Sequence, residues 1–236
     1  MFLFDPHHET FEMFSFSHLI ALIVLIACFT LMFIFRNKLK KNKKVDRYLR
    51  VIVASLMLLM EWTFYVWSIS SGGFQLSLLP LGLCAMAMYL TVIMLFMNSE
   101  NTFKLVYPWA ITGAVLSLTI ADTTFDFPHF RYLHYFGNHS LFLLSSLYFI
   151  FVKGYRIAYK DILNSSLVLF LISIAVYILN QIIHTNHLFL SELPKEVSNL
   201  YDWMGHPWWV FGFSFSIFAL FNLWYLPFLG KKAHST

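Results

Sequence analysis

Cys84, Glu61 and His139 are residues able to do chemistry that lie within otherwise apolar runs, with Arg131, Tyr135, Asn180 and His184 as further polar groups near the same ends of those runs. A cysteine with a histidine at hand can form an acyl thioester, because the thiolate is a strong nucleophile once its proton is taken. A lone cysteine in an apolar helix is more often a small packing residue. Both readings stand for Cys84, whereas Cys28 reads as packing alone. Glu61 is the only carboxylate well inside an apolar run, about nine residues, or roughly 13 Å of helix, from its end. A charge at that depth costs several kcal/mol unless it is paired, protonated or wetted. Glu61 therefore reads as a protonated group bonded to a neighbouring helix, as an orienting acid, or as a proton carrier. Tyr65 and Ser68 follow it at i+4 and i+7 and share its helix face.

The remaining polar residues form smaller patterns. Arg131 and Tyr135 are an i, i+4 pair, and His139 sits a turn further in, where it reads either as a structural imidazole or as a base. Asn180, His184 and His187 are spaced to form one stripe, and Asp202 and His206 precede Pro207. Clustered histidines can also bind a divalent metal. The spacing does not support one, since there is no HExxH or CxxC and His184 with His187 is a weak pair. Neither a phosphate-cradling Gly-rich loop nor a dinucleotide fingerprint occurs, so no cofactor is expected.

The elements that must carry these groups follow from composition. The chain of 236 residues is 59% hydrophobic and 12% charged, against about 25% charged in soluble domains. Its apolar runs are about 20 residues long, enough to cross hydrocarbon as helices that satisfy their own backbone. Seven spans are expected, at 16–35, 51–69, 74–97, 103–120, 134–152, 163–184 and 207–229. Pro80, four residues before Cys84, is expected to kink the third. The fold class is thus an all-α membrane protein, a seven-transmembrane-helix bundle forming one domain over 1–236.

Fourteen of the sixteen Lys and Arg fall on one side of such a bundle, eight of them in the 36–50 loop RNKLKKNKKVDRYLR beside the single acid Asp46. Lys104, Lys153, Arg156, Lys160, Lys231 and Lys232 fall on the same side, and only Arg131 and Lys195 on the other. The positive-inside rule puts the basic side in the cytoplasm, the N-terminus outside and the C-terminus inside. The net charge of +4 is dispersed over inner loops facing anionic lipid, which argues against nucleic-acid binding. The acidic N-terminal segment lacks a basic n-region and a small-residue cleavage site, so the first span is expected to be an uncleaved helix. Trp and Tyr near span ends fit interfacial belts. Two longer outer segments, 121–133 and 185–206, are expected to fold over the mouth of a polar cavity that opens outward.

The run LLMEWTFYVWSISSGGFQLSLLPLGLC, the FPHFRYLHYFGNH segment, the stretch from HTNHLFLSELP to LYDWMGHPWW, and the early FSFSHL with His18 carry a resemblance over nearly the whole chain. In these motifs and their order the sequence resembles the bacterial YwaF family, which is similar in turn to the animal transmembrane protein 164 family. The resemblance implies a multi-span membrane protein that moves a fatty acyl chain between phospholipids and lysophospholipids through a Cys nucleophile assisted by His. It assigns the nucleophile to Cys84 in LPLGLC and the histidine to His139. In the resembled family many members carry a His two residues before this Cys, where the present chain has Gly82. Glu61 or Asn180 would then orient His139 or stabilise an oxyanion. Glu61, Pro80 and the His-rich outer mouth also fit a different class, a lipid or small-solute transporter, although no internal repeat is visible. A non-enzymatic scaffold is the third reading.

Overall fold

The structure is a computed structural model that describes residues 2–5, 9–205 and 207–229. His206, Lys231 and Lys232 lie outside the described residues. Among those described, seven long helices and one short one make an all-α architecture without strands. They are α1 (Phe16–Lys41), α2 (Lys43–Gly72), α3 (Leu83–Met97), α4 (Glu100–Thr119), α5 (Phe130–Tyr148), α6 (Tyr159–Ile183), the short α7 (Lys195–Tyr201) and α8 (Trp208–Tyr225). Side-chain caps set several starts: Ser99 Oγ accepts the Thr102 N–H at 3.1 Å, and His129 Nδ1 accepts the Arg131 N–H at 3.0 Å.

The expected basic loop at 36–50 is helical instead. Asn42 alone separates α1 from α2, ending one and capping the other through the Val45 N–H at 3.1 Å. The two helices run about 39 and 45 Å by helical rise, longer than the roughly 30 Å of hydrocarbon. The basic residues therefore extend the helices past the apolar layer.

The third span also differs. The chain leaves α2 at Gly73, whose φ of 73° suits glycine, and stays non-helical except for a short turn at Leu76–Leu78. Pro80 holds its predecessor Leu79 at ψ 136°, out of the helical region. Helix α3 begins only at Leu83, so Pro80 precedes the helix rather than kinking it.

Five helices are long and apolar enough to cross a membrane: α1, α2, α5 with its following turn, α6, and α8 with its following turn. The chain is a multi-pass membrane protein. Helix α3 is apolar but shortened by the unwound segment. Helix α4 packs against α3, α5, α6 and α8 and buries Phe103, Trp109, Ala110 and Ala114 among them. Sheathed in protein, it has no need of a lipid-compatible surface, and this is why its polar content is tolerated. At the opposite extreme α1 is peripheral, and Ile23, Val24, Ile26 and Leu31 face outward.

At the basic end, one carboxylate ties three elements. Asp46 on α2 accepts from Tyr148 Oη at 2.7 Å and from Lys153 Nζ at 3.1 Å, and pairs with Arg50 Nε at 3.3 Å. Arg50 Nη1 in turn donates to the Leu95 carbonyl on α3.

At the other end, 121–128 joins the N-terminal segment instead of covering a cavity. Phe11 N donates to Thr124 O at 3.1 Å, and Asp126 N to Glu9 O at 2.9 Å. Buried His18 belongs to this seam: its Nδ1 accepts from Phe14 N at 3.0 Å and its Nε2 donates to Leu118 O at 2.9 Å, which occupies both ring nitrogens.

Candidate functional site

A cavity of about 1090 Å³ lies between α2, α3, α4, α6 and α8. Residues 77–82 of the unwound segment and the 186–190 turn line its end remote from the basic residues. The two are stitched together where His187 Nε2 donates to Leu76 O at 3.2 Å, and Tyr65 Oη donates to Leu78 O at 3.0 Å from α2. The wall is largely apolar. Among the described residues, Glu61 is the only charged side chain on it, and no Lys or Arg reaches it. Phe170, Ile174 and Ile178 of α6 and Phe211 and Phe215 of α8 line the cavity and are exposed. The cavity is therefore reachable along its apolar α6 and α8 wall.

Cys84 stands on this wall in the first turn of α3. The helix ladder starts with Met86 N to Gly82 O at 3.0 Å, so the preceding N–H groups are outside it. Sγ lies 3.5 Å from Ser117 Oγ on α4. One helical turn earlier on α4, Gly113 is bare; a Cβ there would stand 3.1 Å from Sγ. At Gly82, by contrast, a Cβ would meet nothing within 4 Å, so this position opens onto free space.

His139 projects from α5. Its Nδ1 donates to the Tyr135 carbonyl at 2.7 Å, a group that can only accept. A neutral ring then carries its lone pair on Nε2, and among the described residues Nε2 makes no hydrogen bond. Tyr135 and Phe142 hold the ring, with centroids at 4.5 and 5.1 Å. No hydrogen bond joins His139 to Cys84 among the described residues. The two are linked only through two intervening residues, since Tyr135 Oη donates to the carbonyl of Ser117, the residue whose hydroxyl meets Cys84. Tyr135 Oη also accepts from Asp122 N at 3.1 Å.

Glu61 is buried and bonded across to α5, and both bonds fall on Oε2: His134 Nε2 at 2.9 Å and Asn138 Nδ2 at 3.2 Å. Arg131 Nη1 meets His134 Nδ1 at 2.8 Å. A guanidinium can only donate, so Nδ1 accepts and the His134 proton sits on Nε2, toward Glu61. Phe64 stacks on His134 at 4.6 Å and carries Arg131 on its face at 4.6 Å. Arg131, His134 and Asn138 recur at i, i+3 and i+7, a spacing that puts them on one face.

Asn180 and His184 stand elsewhere. Helix α6 ends at Ile183, His184 caps it in the left-handed region, and His187 lies in a separate turn. The three form no helical stripe. Asn180 is buried, but all its bonds are local: Oδ1 accepts from His187 N at 3.0 Å and Thr185 Oγ1 at 3.0 Å, and Nδ2 donates to His187 O at 2.9 Å. It staples the 184–190 turn rather than orienting His139. Asn180→Leu leaves the His187 backbone unsatisfied and is expected to cost about 1–3 kcal/mol. Amide hydrogen exchange confined to 184–190 should speed up; unchanged exchange there would remove the staple.

Sequence reasoning missed Ser117, Gly113, His134 and Asn138 as parts of the site. The i, i+3, i+7 spacing of Arg131, His134 and Asn138 was a usable signal for the last two. Gly113 and Ser117 carry none in a helix otherwise rich in small and apolar residues. No group of three or more His, Cys, Asp or Glu close enough to hold a metal ion occurs among the described residues. No curated protein and no solved structure matches the chain. A family profile described as the TMEM164 family matches residues 13–225, nearly the whole length, and the chain belongs to that family.

Proposed function

We propose that this protein is a membrane acyltransferase that carries a fatty acyl chain from a phospholipid to a lysophospholipid as a thioester on Cys84. The observation that carries the reading is the position of Cys84: at a helix start, on the wall of an apolar cavity of about 1090 Å³ lined by exposed apolar side chains of α6 and α8. Membership of the TMEM164 family and the resemblance to its bacterial YwaF relatives support it. So does the free Nε2 of His139, the form a general base requires.

In this reading the bundle is one domain that crosses the cell membrane seven times, with α3 and α4 as spans as well. The N-terminus is outside and the basic end in the cytoplasm. A phospholipid enters sideways from the membrane with its ester at Cys84. His139 takes the thiol proton, directly or through a water. Sulfur attacks the ester carbonyl, the C–O bond breaks, and the lysolipid alkoxide leaves with the proton from His139. The acyl group remains on sulfur, sheltered from water by apolar walls. The donor and acceptor phospholipids are the only partners required.

The test is intact-protein mass spectrometry of purified wild type and Cys84→Ala after incubation with phospholipid vesicles. A fatty-acyl mass increment on wild type alone, removed by hydroxylamine, is the expected result. A folded wild type that never gains mass, with Cys84→Ala behaving identically in cells, moves the reading to the lipid or solute transporter.

A further inference from the structure

The cavity holds one further group with unused capacity. Glu61 is 7% exposed, its two hydrogen bonds share Oε2, and Oε1 has no partner among the described residues. His134 presents N–H to Glu61, Asn138 presents a second donor, and the guanidinium of Arg131 stands behind His134. A carboxylate held by two donors and a relayed positive charge keeps its remaining lone pairs for something in the cavity.

Helix register places that group opposite the nucleophile. Helices α2 and α3 pack against each other, and the bond from Arg50 to the Leu95 carbonyl fixes their levels. Glu61 lies eleven residues further along α2, and Cys84 eleven residues back along α3. At a common rise both stand roughly 16 Å above that bond. Packed helix axes are about 8–10 Å apart. One hydrogen bond of about 2.8 Å plus one near-attack approach of about 3 Å spans such a gap once side chains project into it. Both residues line the same cavity.

From this juxtaposition we infer that Glu61 is the general base of the second half-reaction, and that the acyl acceptor is an alcohol whose hydroxyl binds Oε1. The inference rests on the thioester reading above. Glu61 takes the hydroxyl proton as the acceptor oxygen attacks the thioester carbonyl. A C–O bond forms, the C–S bond breaks, and Cys84 leaves as thiolate with the electron pair. The proton on Glu61 then passes to sulfur, directly or through a water. Acyl thioester and alcohol become ester and thiol, with nothing left over. His139 serves the first half-reaction and Glu61 the second.

The experiment separates the two halves. Wild type and Glu61→Gln are acylated with phospholipid and freed of donor. They are then mixed with lysophosphatidylcholine, its deoxy analogue lacking the free hydroxyl, or hydroxylamine, and loss of the acyl mass is timed. Glutamine preserves an acceptor oxygen for His134 and Asn138, so the fold should hold. Expected are normal acylation and about 100-fold slower discharge to lysophosphatidylcholine in Glu61→Gln, no discharge to the deoxy analogue in either protein, and equal discharge to hydroxylamine. Glu61→Asp, which keeps the carboxylate, should recover part of the rate and serves if the glutamine variant is unstable. Equal discharge to lysophosphatidylcholine by wild type and Glu61→Gln overturns this inference and leaves the thioester intact. A wild type that never acquires an acyl group overturns both.

Discussion

His139→Ala should slow acylation of Cys84 by about 10²–10⁴-fold, the span general-base catalysis ordinarily covers. The expectation comes from how the ring is held. Its Nδ1 proton is committed to the Tyr135 carbonyl at 2.7 Å, so the neutral imidazole keeps its lone pair on Nε2. The holding group is backbone, so Tyr135→Phe leaves it in place. That variant removes only the bonds from the hydroxyl to Ser117 O and from Asp122 N. It should cost far less than His139→Ala. The His139→Ala defect should also shrink as the medium is made more alkaline, because hydroxide can then supply the thiolate that the base no longer forms. Timed mass spectrometry of Cys84 with excess phospholipid measures all three. Acylation of His139→Ala at the wild-type rate at neutral pH would remove His139 from the chemistry.

What the sequence disclosed and what it hid divide along physical lines. Long apolar runs must be helices in hydrocarbon, and so the elements carrying 16–35, 51–69, 134–152, 163–184 and 207–229 were legible from composition alone. The third span was not. Its hydropathy is continuous from 74 to 97, but Gly73 and Pro80 impose backbone conformations that hydropathy does not register. Cys84 accordingly moved from mid-helix to the first turn of α3. The basic 36–50 stretch misled in the opposite sense. Charge density suggested a loop, whereas Lys, Arg and Leu are good helix formers and carried α1 and α2 outward. Glu61 was legible as a costly residue in need of partners, and hydrogen bonds to His134 and Asn138 on a neighbouring helix stand there. Which helix supplied the bond depended on the packing of α2 against α5, which no single-chain pattern encodes. Asn180 looked like a site residue for the same reason, yet its bonds all close within seven residues.

Asp46→Ala should be the most destabilising single change in the molecule outside the hydrophobic core, about 3 kcal/mol, with a consequence at the distant site. Removing one partner of a buried ion pair leaves the other uncompensated, at about 3–5 kcal/mol. The lower end applies because Lys153 keeps part of its side chain in solvent. Asp46 receives Tyr148, Lys153 and Arg50 at once, and so binds α2 to the far end of α5. Its partner Arg50 is also the residue that fixes the level of α3 through the Leu95 carbonyl. Without the carboxylate, Arg50 and Lys153 repel each other and Arg50 has less reason to hold that carbonyl. The register that puts Cys84 level with Glu61 should then loosen. Thermal unfolding in detergent measures the first effect, and Lys153→Met in the Asp46→Ala background should recover part of the loss by removing the stranded charge. The acylation assay measures the second: discharge of acyl-Cys84 to a lysolipid should slow, while discharge to hydroxylamine, which needs no base, should not. A variant that melts early but discharges to lysolipid at the wild-type rate would show that the basic end stabilises the bundle without setting the geometry of the cavity.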